Sequence, residues 1–324
     1  MQLETFLSCD WGTSAFRLRV IRTTNLEVLA EERSAKGTAA TYHLWKSSET
    51  PESNRLPFYR NIIAEHIDSL EEKLQVSLEG VPLIISGMAS SSIGMVEVPY
   101  KALPFSMDGS DLQTYSTEPA PDFNHPLIII SGVKTEEDVM RGEETKLVGC
   151  SFNTIPPDEA IYVFPGTHSK HVTVKNGQAV NFKTYMTGEF FEVLSQKSIL
   201  AASVEEVKNI EDEANRKSFG KGVEESLSSN LLHACFMVRT NELFKKRNKQ
   251  ESYCYLSGLL IGTELKELLH QKTSHITFVC HEKLRPYYEE ALRILKLWDS
   301  VQMLPADDML IKGQYLIYRN HNSK

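Results

Sequence analysis

Chemistry can first be placed on this chain at Asp10-Trp11-Gly12-Thr13-Ser14, which sets a carboxylate, a glycine and two hydroxyls within five residues. The apolar run Leu7-Ser8-Cys9 leads into it, and Phe16, Leu18 and Val20 follow in alternation, so the stretch reads as a β-hairpin. Gly12 lets the backbone approach a ligand closely, and Thr13 and Ser14 add N–H and hydroxyl donors, which is the chemistry of an anion site. Asp10, at the strand end, can hold a divalent cation directly or through water, and that cation would neutralise phosphate. The same residues also fit an ordinary hairpin in which Asp10 bonds the turn backbone.

Four further stretches carry reactive or small residues. Ser86-Gly87-Met88-Ala89-Ser90-Ser91-Ser92 follows an apolar strand and is rich in hydroxyls. Arg141-Gly142-Glu143-Glu144-Thr145 places two adjacent carboxylates in a segment expected to be helical. Thr187, directly after a strand, is placed to cap a helix whose free N–H groups could meet a phosphate. Gly258 and Gly262 stand four apart on one helix face. Each costs a helix about 1 kcal/mol against alanine, so close approach of another helix or of a ligand is expected there.

The elements that must position these groups repeat. Strand-like segments cover 4–11, 15–23 and 26–34, followed by the small-residue loop Ala35–Ala40 and an amphipathic helix at 58–78. Short buried strands are expected at 82–87 and 126–132, then a helix from about Thr135 to Gly149 whose acidic start suits its positive end. Pro156-Pro157 marks the expected boundary, giving domains 1–155 and 156–324. The second half opens with a strand at 160–164 and the turn Pro165-Gly166-Thr167-His168-Ser169-Lys170. A strand from His171 and an Asn176-Gly177 hairpin turn follow. Helices are expected at 187–200, 218–247, 252–271, 284–297 and 307–319, with strands at 275–280 and 301–304. A strand, a Gly-Thr-Ser-type turn and two more strands thus occur twice, about 155 residues apart. This implies an internal duplication of β-β-β-α type and a ligand site between like domains.

At 324 residues the chain exceeds a usual single core, and 41% hydrophobic with 24% charged residues describes an ordinary globular protein. A net charge of −8 gives no footprint for nucleic acid or an anionic membrane surface. No apolar run approaches the roughly 20 residues of a membrane span. Met1-Gln2-Leu3-Glu4 leads straight into the first strand, and the five cysteines are scattered without a C-x-x-C pair. Reduced core thiols and a cytoplasmic location are therefore expected. Nothing in the pattern reads out an oligomeric state.

Taken in order, Asp10-Trp11-Gly12-Thr13-Ser14 with Arg17, Gly87-Met88, Val98-Pro99-Tyr100 and Met140-Arg141-Gly142-Glu143-Glu144-Thr145 form a specific set. Pro165-Gly166-Thr167-His168-Ser169-Lys170, Met186-Thr187-Gly188-Glu189 and Leu256-Ser257-Gly258-Leu259-Leu260-Ile261-Gly262 complete it. The set resembles the 2-dehydro-3-deoxygalactonokinases, sugar-acid kinases of the actin/hexokinase ATPase superfamily. The resemblance implies an α/β fold of two actin/ribonuclease-H-like lobes facing across a nucleotide and substrate cleft. It also implies ATP-dependent phosphorylation of the terminal hydroxyl of 2-dehydro-3-deoxy-D-galactonate, with ATP and Mg²⁺ as cofactors and a small sugar acid as partner. A kinase for a related 2-keto-3-deoxy acid, a phosphatase of the same fold and a non-catalytic sensing member are the competing readings.

The resemblance further assigns roles, because phosphoryl transfer needs phosphate positioning, a cation and something to orient the attacking hydroxyl. Asp10 would sit near the metal, with Gly12, Thr13 and Ser14 in one phosphate loop. Gly166, Thr167 and Ser169 would form the other, with Lys170 as counter-charge. Glu143 follows Gly142 where related sugar kinases carry the catalytic base. It is preferred over Glu144, since adjacent helical residues diverge by about 100° and one faces the ligand. The substrate carboxylate suits the planar fork of Arg17 or Arg141. The loop holding Lys36 and Gly37, and the turn holding Met88, Ser90 and Ser91, would line the sugar pocket. Val279-Cys280-His281-Glu282-Lys283-Leu284 is bulkier than the family's glycine-containing turn near the nucleotide base, which bears on nucleotide preference.

Overall fold

The alternation in the first thirty residues becomes three antiparallel strands, Thr5–Trp11, Phe16–Arg22 and Val28–Ser34. The structure, a computed structural model, describes residues 4–48, 51–155, 157–207, 210–271, 275–322. Leu83–Gly87 lies parallel to the first strand, and Leu127–Ile130 lies parallel to Leu83–Gly87. With Thr114–Thr117 at the edge, the spatial order is third, second, first, fourth, then the two later strands. Phe16, Leu18 and Val20 alternate inward with Leu7, Cys9 and Trp11, and they pack against Tyr59, Ile63, Ile67 and Leu70 of helix Arg55–Leu74. The amphipathic period expected at 58–78 is thus seated on the sheet, displaced by a few residues. In the same unit, helices Glu143–Cys150 and Ala306–Asn322 cross at glycines. A Cβ on Gly149 would lie 1.8 Å from the Met309 carbonyl oxygen, and one on Gly313 would lie 1.8 Å from that of Thr145.

The second sheet repeats the order. Glu159–Phe164 stands between Ser169–Lys175 and Ile276–Cys280, with Gln178–Tyr185 and Val301–Pro305 beyond them. Ile276–Cys280 is parallel to both Glu159–Phe164 and Val301–Pro305. Asn176 (φ 50°) and Gly177 (φ 73°) turn the expected hairpin. Two sheets with the same strand sequence and the same pair of trailing parallel strands are the duplicated α/β, ribonuclease-H-like arrangement that the resemblance implies. Phe219, Val223, Cys254, Ile261, Phe278 and Tyr288 are central to the core of the second unit.

Contacts divide the chain into two units, one of 1–158, 174–181 and 306–324, the other of 159–173 and 182–305. The expected boundary at 155/156 lies close to the first crossing. The hairpin turn and the last helix, however, belong with the first unit rather than with a continuous 156–324 domain. Gln178 and Ala179 pair with Ser106 and Phe105 within that first unit.

Three local expectations are corrected. The segment from Thr135 is not helical at first: the Thr135 hydroxyl accepts from the Glu137 and Asp138 amides and closes a turn between Val133–Lys134 and Val139–Met140. Its helix begins only at Glu143. The Ala35–Ala40 stretch is a loop only to Gly37, where helix Thr38–Ser47 starts. The long helix expected at 218–247 is two, Glu213–Ser226 and Leu231–Leu243, each capped by the side chain of the preceding Asp212 or Asn230. All five cysteines are free, and burial pushes Cys150, Cys254 and Cys280 up to about 12. Among the described residues, no helix is long and apolar enough to cross a membrane.

Candidate active site

Asp10 and Trp11 end their strand in register with Ser86 and Gly87. Gly87 holds φ 90°, and a Cβ there would lie 2.8 Å from the Trp11 carbonyl oxygen and 3.5 Å from Asp10 Oδ1. Gly142 holds φ 106°, and its Cβ would stand 3.5 Å from Gly87 Cα. Only glycine adopts these angles at no steric cost, so both turns can close on the Asp10 strand end. Gly142 is the N-cap of Glu143–Cys150. Asp10, Gly87, Gly142 and Glu143 therefore share one corner, assembled from two strand ends and one helix start. Among the described residues, Asp10 has no side-chain hydrogen bond or ion pair.

The two glutamates of this corner differ. Glu143 is half-buried, and its Oε2 accepts the Arg141 N–H at 3.2 Å. Glu144 is fully buried; Oε2 accepts the Gly142 N–H at 2.7 Å and Oε1 accepts the Thr145 hydroxyl at 3.0 Å. Burial, and next the neighbouring Glu143 charge, push Glu144 up to about 7. Glu144 is thus enclosed and holds the turn, while Glu143 keeps access to solvent.

The first expected phosphate loop is braced from behind. The Gly12 amide donates to the Ala15 carbonyl, and the Gly12 carbonyl accepts the Thr38 N–H and hydroxyl. Thr13 and Ser14 remain exposed. Gly37 is not a sugar contact by its packing: a Cβ there would lie 2.3 Å from the Thr13 carbonyl oxygen, so it seats the helix start on the turn. Lys36 beside it is exposed, and its carbonyl accepts the Trp11 indole N–H at 3.3 Å.

Arg17 is corrected as a carboxylate ligand. Its Nη1 donates to both Asp307 oxygens at 2.7 Å, and Arg19, itself 3% exposed, adds a bond to Asp307 at 2.8 Å. Nη1 of Arg17 is thus committed to a carboxylate of this chain, so a second carboxylate taken as ligand would have to share one guanidinium with Asp307. Ser90 and Ser91 are corrected too: both are buried, and their hydroxyls donate to the Gly87 and Met88 carbonyls of their own turn. Met88 is half-buried beside them. Arg141 donates from Nη1 to the Ser90 carbonyl and hydroxyl and lies 4.2 Å from the Tyr100 ring centre, but its buried Nε has no partner.

In the second unit Gly166 and Thr167 are accessible, with open space where a Gly166 Cβ would stand. Ser169 and Lys170 are buried: the Ser169 hydroxyl accepts the Gly166 N–H at 3.2 Å, and Lys170 Nζ donates to the His168 carbonyl at 3.2 Å. Both side chains brace the loop from within. Thr187 opens helix Thr187–Gln196 but does not cap it, because its hydroxyl donates to Glu264. Gly258 and Gly262 serve helix packing rather than a ligand. Their Cβ atoms would meet the Phe219 carbonyl oxygen at 2.1 Å and Ser226 Oγ at 2.4 Å on helix Glu213–Ser226.

A cavity of about 750 Å³ opens beside this loop. Gly166, Thr187 and Gly188 form one wall, and Phe191, Tyr253, Leu260, Ile261 and Tyr287 supply apolar surface. Glu282, Lys283 and Leu284 of the bulky turn also line it, so that turn is a wall of the cavity and does not fill it. Its volume and mixed lining are those of a small-molecule site. Sequence reasoning missed Glu264, Tyr288 and Asp307. Glu264 had a signal, a lone carboxylate in the otherwise apolar run Leu259–Leu265; Asp307 and Tyr288 had none short of the fold.

The 2-keto-3-deoxy-galactonokinase family matches residues 10–317 of this chain. A probable 2-dehydro-3-deoxygalactonokinase of Rhizobium meliloti (strain 1021) is 30% identical over 319 residues, covering 95% of this chain and 94% of the relative. The 2-dehydro-3-deoxygalactonokinase of Escherichia coli (strain K12) is 31% identical over 228 residues, covering 67% and 72%. The crystal structure of a protein assigned as a 2-dehydro-3-deoxygalactonokinase from Sinorhizobium meliloti superposes with a TM-score of 0.78 at 26% identity, covering 97% of this chain and 98% of that one. With a match running from Asp10 to beyond Asp307, the chain belongs to the 2-keto-3-deoxy-galactonokinase family.

Proposed function

We propose that the protein transfers the terminal phosphoryl group of ATP to the terminal hydroxyl of 2-dehydro-3-deoxy-D-galactonate, giving the 6-phosphate. The observation that carries this reading is the corner of Asp10, Gly87, Gly142 and Glu143, where an unpaired carboxylate and a solvent-reaching one stand on rigid element ends. Glu143 is the group we assign to take the hydroxyl proton. The Arg141 N–H on its Oε2 orients the carboxylate and leaves Oε1 for the substrate. Glu144 holds Gly142 and Thr145 in place and performs no proton transfer. The carboxylate end of the sugar acid is assigned to Arg141, whose buried Nε lacks a partner, with exposed Lys36 as an added positive charge.

The residues present fit a magnesium nucleotide. Mg²⁺ binds through one or two carboxylates together with phosphate oxygens and water, and Asp10, at the strand end beside Gly87, is the carboxylate we assign. Such a cation would supply charge neutralisation on the transferred phosphoryl group. The second-unit cavity fits the nucleotide: Tyr253, Tyr287 and Phe191 offer apolar surface to a base, and the accessible Gly166-Thr167 turn offers backbone to phosphates. The free cysteines are consistent with a cytoplasmic enzyme. The test is ATP consumption with Mg²⁺ against a panel of 2-keto-3-deoxy sugar acids. Turnover is expected with the galactonate derivative, and no turnover with any member of the panel would reject the kinase reading.

A further inference from the structure

We propose that Glu264 is a positioning residue that locks the Gly166–Ser169 loop and the start of helix Thr187–Gln196 into one preformed wall for the phosphates of the nucleotide. The inference rests on the kinase reading of the second-unit cavity. Glu264 lies near the end of helix Lys249–Leu265 and is 2% exposed. Its Oε1 stands 3.1 Å from His171 Nε2, and its Oε2 accepts the Tyr288 hydroxyl at 2.9 Å and the Thr187 hydroxyl. Two hydroxyl donors and an imidazole nitrogen thus converge on this one carboxyl group. Such a buried network, fully satisfied, fixes one geometry.

The direction of the bonds extends the network to the loop. Tyr288 gives its only hydroxyl proton to Glu264, so in the 3.4 Å contact with Ser169 it is the serine that donates. Ser169 Oγ in turn accepts the Gly166 N–H. A single polarised line therefore runs from Gly166 through Ser169 and Tyr288 to Glu264. From the other side, Thr187 ties the helix start to the same carboxylate. The two ends then meet directly: a Cβ on Gly188 would lie 2.6 Å from the Gly166 carbonyl oxygen, and the Glu189 N–H donates to the Thr167 carbonyl at 3.0 Å. Gly166, Thr187, Gly188 and Tyr288 all line the cavity. The exposed Glu189 carboxylate adds a second tie between the loop and the helix start at His168, and Glu264 is the buried one that also reaches Tyr288.

The test compares wild type with Glu264→Gln and Tyr288→Phe. Glu264→Gln keeps the side-chain shape but replaces one accepting oxygen with an NH₂, which removes one of the acceptors the network converges on. Tyr288→Phe removes only the hydroxyl that joins Ser169 to Glu264 and preserves the ring. Binding of ADP with Mg²⁺ is measured by titration calorimetry, alongside KM for ATP and for the sugar acid. Both variants should weaken ADP binding and raise KM for ATP, at least about tenfold for Glu264→Gln and at least about threefold for Tyr288→Phe. KM for the sugar acid should stay within about twofold. Wild-type ADP affinity in a folded Glu264→Gln or in Tyr288→Phe would overturn the proposal, as would an equal rise in both KM values. If Glu264→Gln does not fold, Tyr288→Phe decides alone. A wild-type protein that binds no nucleotide would instead reject the kinase reading, and this inference with it.

Discussion

Glu144→Gln separates a buried structural carboxyl from a catalytic one through the pH dependence of stability. Glu144 is fully buried and is held at about 7 instead of near 4.5, by burial first and the Glu143 charge second. Between those values the folded state binds a proton that the unfolded state has released, so stability falls as pH rises from about 4.5 to about 7. At about 1.4 kcal/mol per pH unit, the whole loss is on the order of 3 kcal/mol, absent at the acid end and complete above about pH 7. Glutamine cannot ionise and lacks this slope. It also places an NH₂ opposite the Gly142 N–H or the Thr145 hydroxyl, a pH-independent cost of about 1–3 kcal/mol. The variant is therefore expected to be less stable than wild type at about pH 5, with the gap narrowing by about 3 kcal/mol by about pH 8. Urea unfolding at half-unit pH steps, followed by tryptophan fluorescence, reads the first unit through the buried Trp11 and Trp45. Curves that stay parallel over that range would refute the reasoning, because Glu144 would then ionise as an ordinary carboxylate.

Three further outcomes are expected. Glu143→Gln should lower kcat about 10²-fold or more with little change in either KM, as for a base acting in the chemical step; an unchanged kcat in steady-state assays would remove the assignment. Gly258→Ala should lower the melting temperature despite alanine's better helix propensity, because its Cβ would sit 2.1 Å from the Phe219 carbonyl oxygen. Overpacking of this kind costs about 1–3 kcal/mol, and an unaltered melting temperature would show that the two helices separate freely. Asp307→Ala should destabilise the first unit by about 1–3 kcal/mol, since it removes one carboxylate from buried Arg19 and leaves Glu31 alone beside it. Faster amide exchange in helix Ala306–Asn322 would register the loss, and wild-type exchange would contradict it.

Strand order and duplication were legible because both rest on local signals: alternation in residues 5–34, the Asn176-Gly177 turn, and the repeated Gly-Thr turn. Long-range partners were not. Arg17 has the residue type of a carboxylate ligand, and only the return of the last helix to the first unit shows that Asp307 already holds its Nη1. Gly258 and Gly262 signalled close approach correctly, but spacing alone does not say whether a helix or a ligand approaches. The acidic run at 136–138 has the composition of a helix start, yet the Thr135 hydroxyl captures two of its amides and makes a turn. Thr187 had the position of a cap and was drawn instead to Glu264, a charge hidden in an apolar run. At Glu143 and Glu144 the divergence of neighbouring helical side chains led to the expectation that one faces the ligand; Glu144 is buried and Glu143 is not.

The most direct test of the central claim is mass spectrometry and ³¹P NMR of the product formed from ATP, Mg²⁺ and 2-dehydro-3-deoxy-D-galactonate. The account predicts stoichiometric ADP and a phosphate monoester on the terminal carbon, lost in Asp10→Asn and reduced at least about 10²-fold in Glu143→Gln. Absence of a phosphorylated sugar acid, or wild-type rates from both variants, would contradict it.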